Sequence, residues 1–131
     1  MKHILSLIFL LSAYPIFGQH NIDSNNRVTN FNFETNFNFV GTFDYDLLRK
    51  VGKDHRYNTK VLIRIGNQGD GRLVIYFQKK TTLYVDYCIK TENNYYFYLK
   101  NGKEAILYVD KFNNVSGFVL KKDDNTAIIF F

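Results

Sequence analysis

TNFNFETNFNFVGTF, residues 29–43, decides the reading of the fold. The five residues Thr29–Phe33 recur unchanged as Thr35–Phe39. Phenylalanine alternates with asparagine, and the alternation runs on through Phe43, Tyr45 and Leu47. Period two puts every second side chain on one face of an extended strand. A stripe of rings that long needs somewhere to go: a core, a ligand cavity, a lipid face or a fibril seam.

Outward from that stretch, the same period recurs. Segments 28–45, 59–65, 72–78, 82–90, 94–100, 104–110, 115–122 and 126–131 alternate apolar with polar residues and are rich in Val, Ile, Tyr and Phe. Such residues suit a pleated, half-buried surface. Gly/Asn/Asp-rich breakers separate the segments at 66–71, 92–93, 101–102, 113–114 and 123–125. The expectation is an all-β fold: an antiparallel meander of about eight strands, closed as a small barrel or folded as a sandwich.

Parity sharpens this. The large residues fall at odd positions in nearly every segment: Phe31, Phe33, Phe37, Phe39, Phe43 and Tyr45, then Ile63, Ile75, Val85, Tyr87, Ile89, Phe97, Leu107 and Ile129. Residues opposed across a hairpin share a face, so constant parity requires loops of odd length. The run 99–103, LKNGK, fits a three-residue loop with Gly102 in the left-handed region. Segment 115–122 departs from the rule: Phe118 and Leu120 are even, and a bulge at Gly117 shifts the phase. A second departure is the run 46–52, DLLRKVG. Its acidic first residue, leucine pair, late cations and final glycine predict one short helix after the first long strand, followed by a polar loop over 53–58.

The N-terminus gives a location. Met1-Lys2-His3 is a short basic start, residues 4–11 are apolar apart from Ser6, and Pro15 breaks the run before Ile16 and Gly18. That is the pattern of a secretory signal peptide over 1–18, too short to span a bilayer. Cleavage after Gly18 leaves a polar, flexible leader over 19–27 and one β-domain over 28–131. The product is expected to be secreted or periplasmic. Frequent Asn, Lys, Ile, Tyr and Phe suggest an AT-rich bacterial source. Net charge is +5 for the whole chain and +4 once Lys2 is removed, with the cations scattered. A nucleic-acid binder shows a dense basic patch instead. The single cysteine, Cys88, allows no internal disulfide. By parity it lies on the even face as a partly buried, inert thiol.

That even face is the functional clue. Beside Asn, Lys and Arg it carries Tyr76, Tyr84, Tyr96, Tyr98 and Tyr108. A phenol ring stacks while its hydroxyl forms hydrogen bonds, so these five are the candidate ligand-binding residues. Catalytic signals are absent. His55 beside Asp54 reads as a surface pair rather than part of a triad. Residues 67–71 lack the ligand count and spacing of an EF-hand. No catalytic residue, metal ligand or cofactor is expected.

The resulting expectation is an exported, non-catalytic β-domain that binds a partner of the cell envelope. The partner is a small apolar ligand inside a barrel, or a glycan or protein on the tyrosine face. A small outer-membrane barrel is a first alternative, though 72–78 and 126–131 fall short of the roughly 9–11 residues of a spanning strand. A fibre or matrix subunit built on the Asn/Phe repeat is a second.

Overall fold

The computed structural model describes residues 20–112 and 114–131. The segment 1–18, read as a signal peptide, and Gln19 lie outside the described residues. Ten strands follow in order. Two are short: β1 (Asn21–Ile22) and β2 (Val28–Thr29). The others are β3 (Phe31–Asp44), β4 (Arg49–Ile65), β5 (Gly71–Phe77) and β6 (Lys79–Lys90), then β7 (Asn94–Leu99), β8 (Glu104–Val109), β9 (Val115–Lys121) and β10 (Thr126–Phe130). Strands β3 to β10 pair antiparallel in sequence order, and β10 returns to β3, closing an eight-stranded barrel. Closure removes the edges that an open sheet would leave for aggregation.

The barrel interior is apolar and filled. Phe31, Phe33 and Phe37 of β3 meet Val61, Ile63, Leu73, Phe97, Leu107, Phe118 and Phe130 in one buried cluster. An eight-stranded barrel is just wide enough for side chains to fill it. The loop 100–102 has the expected form: Gly102 has φ +86°, and Leu99 N–H donates to Lys103 O at 3.0 Å.

One end is covered by the segment leading into the barrel. Within 20–27, Asn21 and Ile22 pair with Thr29 and Val28, and Lys90 N–H donates to Asn26 O at 2.9 Å. His20 lies against the Phe31 ring (centroids 4.9 Å apart), and its Nε2 is 3.1 Å from the Tyr95 hydroxyl.

Three expectations are corrected by backbone geometry. The helix over 46–52 does not form, and the described residues contain no helix. The Asp44 carboxylate instead accepts the N–H groups of Asp46 (2.8 Å) and Leu47 (3.1 Å), Leu48 turns through φ +54°, and Arg49 pairs back to Asp44. An isolated helix this short cannot repay its nucleation, whereas Arg49, Lys50 and Val51 each gain a ladder partner on β3. The polar loop expected over 53–58 is therefore part of β4.

The second correction concerns the Phe stripe. Asn38 and Phe39 both donate their N–H groups to the carbonyl of Phe131, at 3.0 and 2.9 Å. The β3–β4 register also slips between Phe37 and Phe39. This bulge reverses the faces of β3. Phe31, Phe33 and Phe37 point inward, but past the bulge it is Val40 that packs on the core, opposite Phe130. Phe39 and Phe43, expected inside, face out, and Ile129 of β10 goes with them.

The third correction lies on β6. Its register to β7 slips between Val85 and Tyr87, leaving Asp86 as the extra residue. Beyond it Tyr87 and Ile89 face out opposite Tyr98 and Tyr96, and Cys88 turns in opposite Phe97. Cys88 is fully buried, and desolvation pushes its thiol far above the ordinary range.

Candidate functional site: an aromatic cleft on the outer wall

The two face reversals decide which side chains meet outside. On the wall formed by β8, β9, β10 and the distal half of β3, Ile106 opposes Val119, and Val119 opposes Ile129. Next to that row, Tyr108 opposes Gly117. On the other side Ala127 opposes Phe43. Small and β-branched residues thus make a floor, and rings stand around it.

The result is a cleft of about 360 Å³. Val119, Ile129 and Gly117 form its base, with Tyr108 and Ser116 on one wall and Phe43, Tyr45 and Phe131 on the other. Gly117 matters because it has no side chain: a Cβ there would lie 3.3 Å from the carbonyl oxygen of Phe130, a tight contact on the cleft floor. A second hollow of about 210 Å³ continues the first past Tyr45 and Val119 towards Ile106, Glu104 and Lys121. The first volume falls within the usual range for small-ligand sites, and the lining, mostly apolar with a few polar groups, is also typical of them.

Ring contacts hold the walls. Phe43 and Tyr45 meet edge to face at 5.2 Å. Phe131 stacks on Phe39 at 5.6 Å. Lys50 Nζ lies 4.2 Å from the Phe131 centroid and bonds the Asp54 carboxylate at 2.8 Å, while Lys121 Nζ lies 5.5 Å from the Tyr45 ring. Such cation–ring contacts fix ring orientation at modest energy. The Tyr108 phenol is raised above its ordinary pKa, first by desolvation and then by the phenols of Tyr96 and Tyr45. Tyr98 is raised by desolvation and by Glu104. Both of these phenols therefore favour the protonated form, which can donate a hydrogen bond.

All five sequence-predicted tyrosines lie on the outer wall, but they do not form one patch. Tyr96 and Tyr98 neighbour each other on β7. Tyr96 opposes Ile106, and Asn94 opposes Tyr108, so Tyr108 is the diagonal neighbour of Tyr96. Asn94 Nδ2 donates to the Tyr96 hydroxyl at 3.2 Å. The Asp86 bulge adds Tyr87, stacked on Tyr98 at 4.6 Å with the Arg27 guanidinium 4.2 Å above it. Tyr84 precedes that bulge and opposes Arg72, and Tyr76 stands between Lys60 and Lys80. Those two are separate, exposed rings.

Sequence reasoning missed Phe43, Tyr45, Ile129 and Phe131 as parts of a site, because odd parity assigned them to the core. One signal pointed the other way. Val40, Ile128 and Phe130 are apolar at even positions, and all three pack inward.

Among the described residues no group of His, Cys, Asp and Glu is placed to hold a metal ion. His55 is exposed on β4, and Asp54 beside it is taken by Lys50. No family model, curated protein or solved structure matches this chain.

Proposed function

We propose that this chain is an exported, non-catalytic β-barrel module that binds a ligand or partner of the cell envelope through the outer aromatic cleft. The observation that carries this reading is the cleft itself: four rings around an apolar floor on the outside of a barrel whose inside is already full. Aromatic residues left outside a small barrel are costly to solubility, and contiguous apolar patches tend to mark interaction sites. At the barrel mouth, the hollow bounded by Leu83, Leu99, Leu120 and Ile128 is only about 160 Å³. That weighs against an apolar ligand held inside the barrel.

The outer-membrane alternative fits less well. Such barrels alternate apolar-out with polar-in. Here the inward residues are apolar, and the outer face of β4 and β5 carries Lys60, Arg64 and Arg72. The first phenylalanine block of the Asn/Phe repeat is buried inside the barrel, which also removes it from use as a fibril seam.

The test is site-specific photocrosslinking on protein exported by its own host. A benzoylphenylalanine at position 108 is expected to capture a ligand or partner that the same probe at position 84 does not. Equal capture at both positions, or none at 108, refutes the cleft as the site.

A further inference from the structure

We infer that the cleft takes a linear, neutral saccharide; this rests on the cleft being the binding site and names its ligand class. The first argument is backbone pairing. Strands β3, β8, β9 and β10 are each paired on both sides along this wall. Among the described residues of this wall, no free N–H or C=O ladder remains to which an extended peptide adds as a strand. Recognition has to come from side chains.

The second argument is the chemistry of those side chains. A sugar ring presents an apolar face of C–H groups and an equatorial rim of hydroxyls. Phe43, Tyr45 and Tyr108 offer ring faces and edges for the first. The phenol hydroxyls of Tyr45 and Tyr108, the Ser116 hydroxyl and the Glu104 and Lys121 head groups offer hydrogen bonds for the second. An acyl chain uses the rings but leaves this polar rim unpartnered on desolvation.

The third argument is charge. Lys50 is neutralised by Asp54, and Lys121 and Glu104 bring one charge of each sign to the second hollow. The charges named at the site therefore balance in pairs, and no cluster of cations among them singles out an anionic ligand. Two hollows joined past Tyr45 form an elongated groove, which suits consecutive units of a chain better than a single compact molecule.

The experiment is NMR titration of the full exported protein with four probe sets. These are linear neutral hexasaccharides (gluco-, manno-, xylo- and N-acetylglucosamine-based), hexagalacturonate, phosphatidylcholine/phosphatidylglycerol vesicles, and peptides selected on the protein from a phage library. At least one neutral hexasaccharide is expected to shift the ring resonances of Tyr45 and Tyr108. Tyr108→Ala is expected to weaken that binding at least tenfold, and Tyr108→Phe, which keeps the ring, several-fold. Silence of every neutral hexasaccharide at millimolar concentration overturns the inference. If a peptide or vesicle then shifts the same resonances, the saccharide class fails while the cleft stands. If Tyr108 captures nothing in the crosslinking experiment either, the cleft fails with it.

Discussion

Phe39 stacks on Phe131 outside the barrel, although Phe37, two residues earlier, is buried within it. One bulge separates the two environments, because two successive N–H groups share the Phe131 carbonyl. The energetic consequence is measurable. Phe33→Ala and Phe97→Ala remove fully enclosed rings and are expected to cost about 3–5 kcal/mol each. Phe39→Ala and Phe43→Ala remove partly buried rings on the outer wall and are expected to cost roughly 1 kcal/mol. Urea denaturation of the four variants checks this, and equal losses would place Phe39 and Phe43 in the core.

Cys88 gives an independent check on the second bulge. Its inward position opposite Phe97 and its desolvated thiol predict no reaction with a thiol reagent in the native protein, and stoichiometric reaction after denaturation. Fast native labelling would mean that Asp86 is not the extra residue and that Cys88 lies outside.

Acid stability is tied to two loops. The Asp110 carboxylate accepts the N–H groups of Asn114 and Phe112, and Asp123 accepts those of Asn125 and Thr126; both are held below the ordinary carboxylate range. A carboxyl whose pKa is lower folded than unfolded stabilises the fold above its unfolded value, about 4. That stability disappears as pH falls through the folded value. Asp123→Asn is therefore expected to flatten the acid limb of a melting-temperature profile below about pH 4, and an unchanged limb would contradict the loop geometry.

At the alkaline end the sign reverses. Burial, then Cys88, pushes the Tyr95 phenol well above its ordinary range, so the neutral form is favoured in the fold. Its contribution is complete below about pH 10 and is lost as pH rises beyond that value. Spectrophotometric titration of the nine tyrosines that remain after residues 1–18 are removed is expected to show Tyr95 ionising last, with unfolding, and Tyr95→Phe removes that late step. Titration of all nine together near their ordinary value would argue against a buried Tyr95.

The architecture was legible because alternation and turn residues are local signals. Period two over 28–45 and the Gly102 loop announce strands and hairpins without tertiary information. Their number and order left a barrel and a sandwich equally open, and it is the long-range pairing of β10 with β3 that closes the sheet. What escaped was phase. A bulge adds one residue without changing composition, so in the run Asn36–Val40 only the apolar residue at even-numbered Val40 hints that the stripe turns over, and nothing in Val85–Cys88 marks Asp86 as extra. Three of the five tyrosines nevertheless fall in one neighbourhood, since Tyr96, Tyr98 and Tyr108 lie on adjacent strands with no bulge between them. Tyr76 and Tyr84 were drawn into the same patch only by parity. The helix over 46–52 failed for a different reason: the Asp44 carboxylate accepts the N–H groups of Asp46 and Leu47 and closes a hairpin, and Gly52, read as the final cap, lies within β4.

The central claim is that the outer cleft, and not the tyrosine-bearing wall at large, binds the ligand. Its most direct test is calorimetric titration of two double variants, matched for melting temperature, with the neutral hexasaccharides. The expected result is that Tyr45→Ala with Tyr108→Ala abolishes binding, while Tyr76→Ala with Tyr84→Ala leaves the affinity of the unaltered protein. Retained binding in the first pair, or loss in the second, would contradict the account.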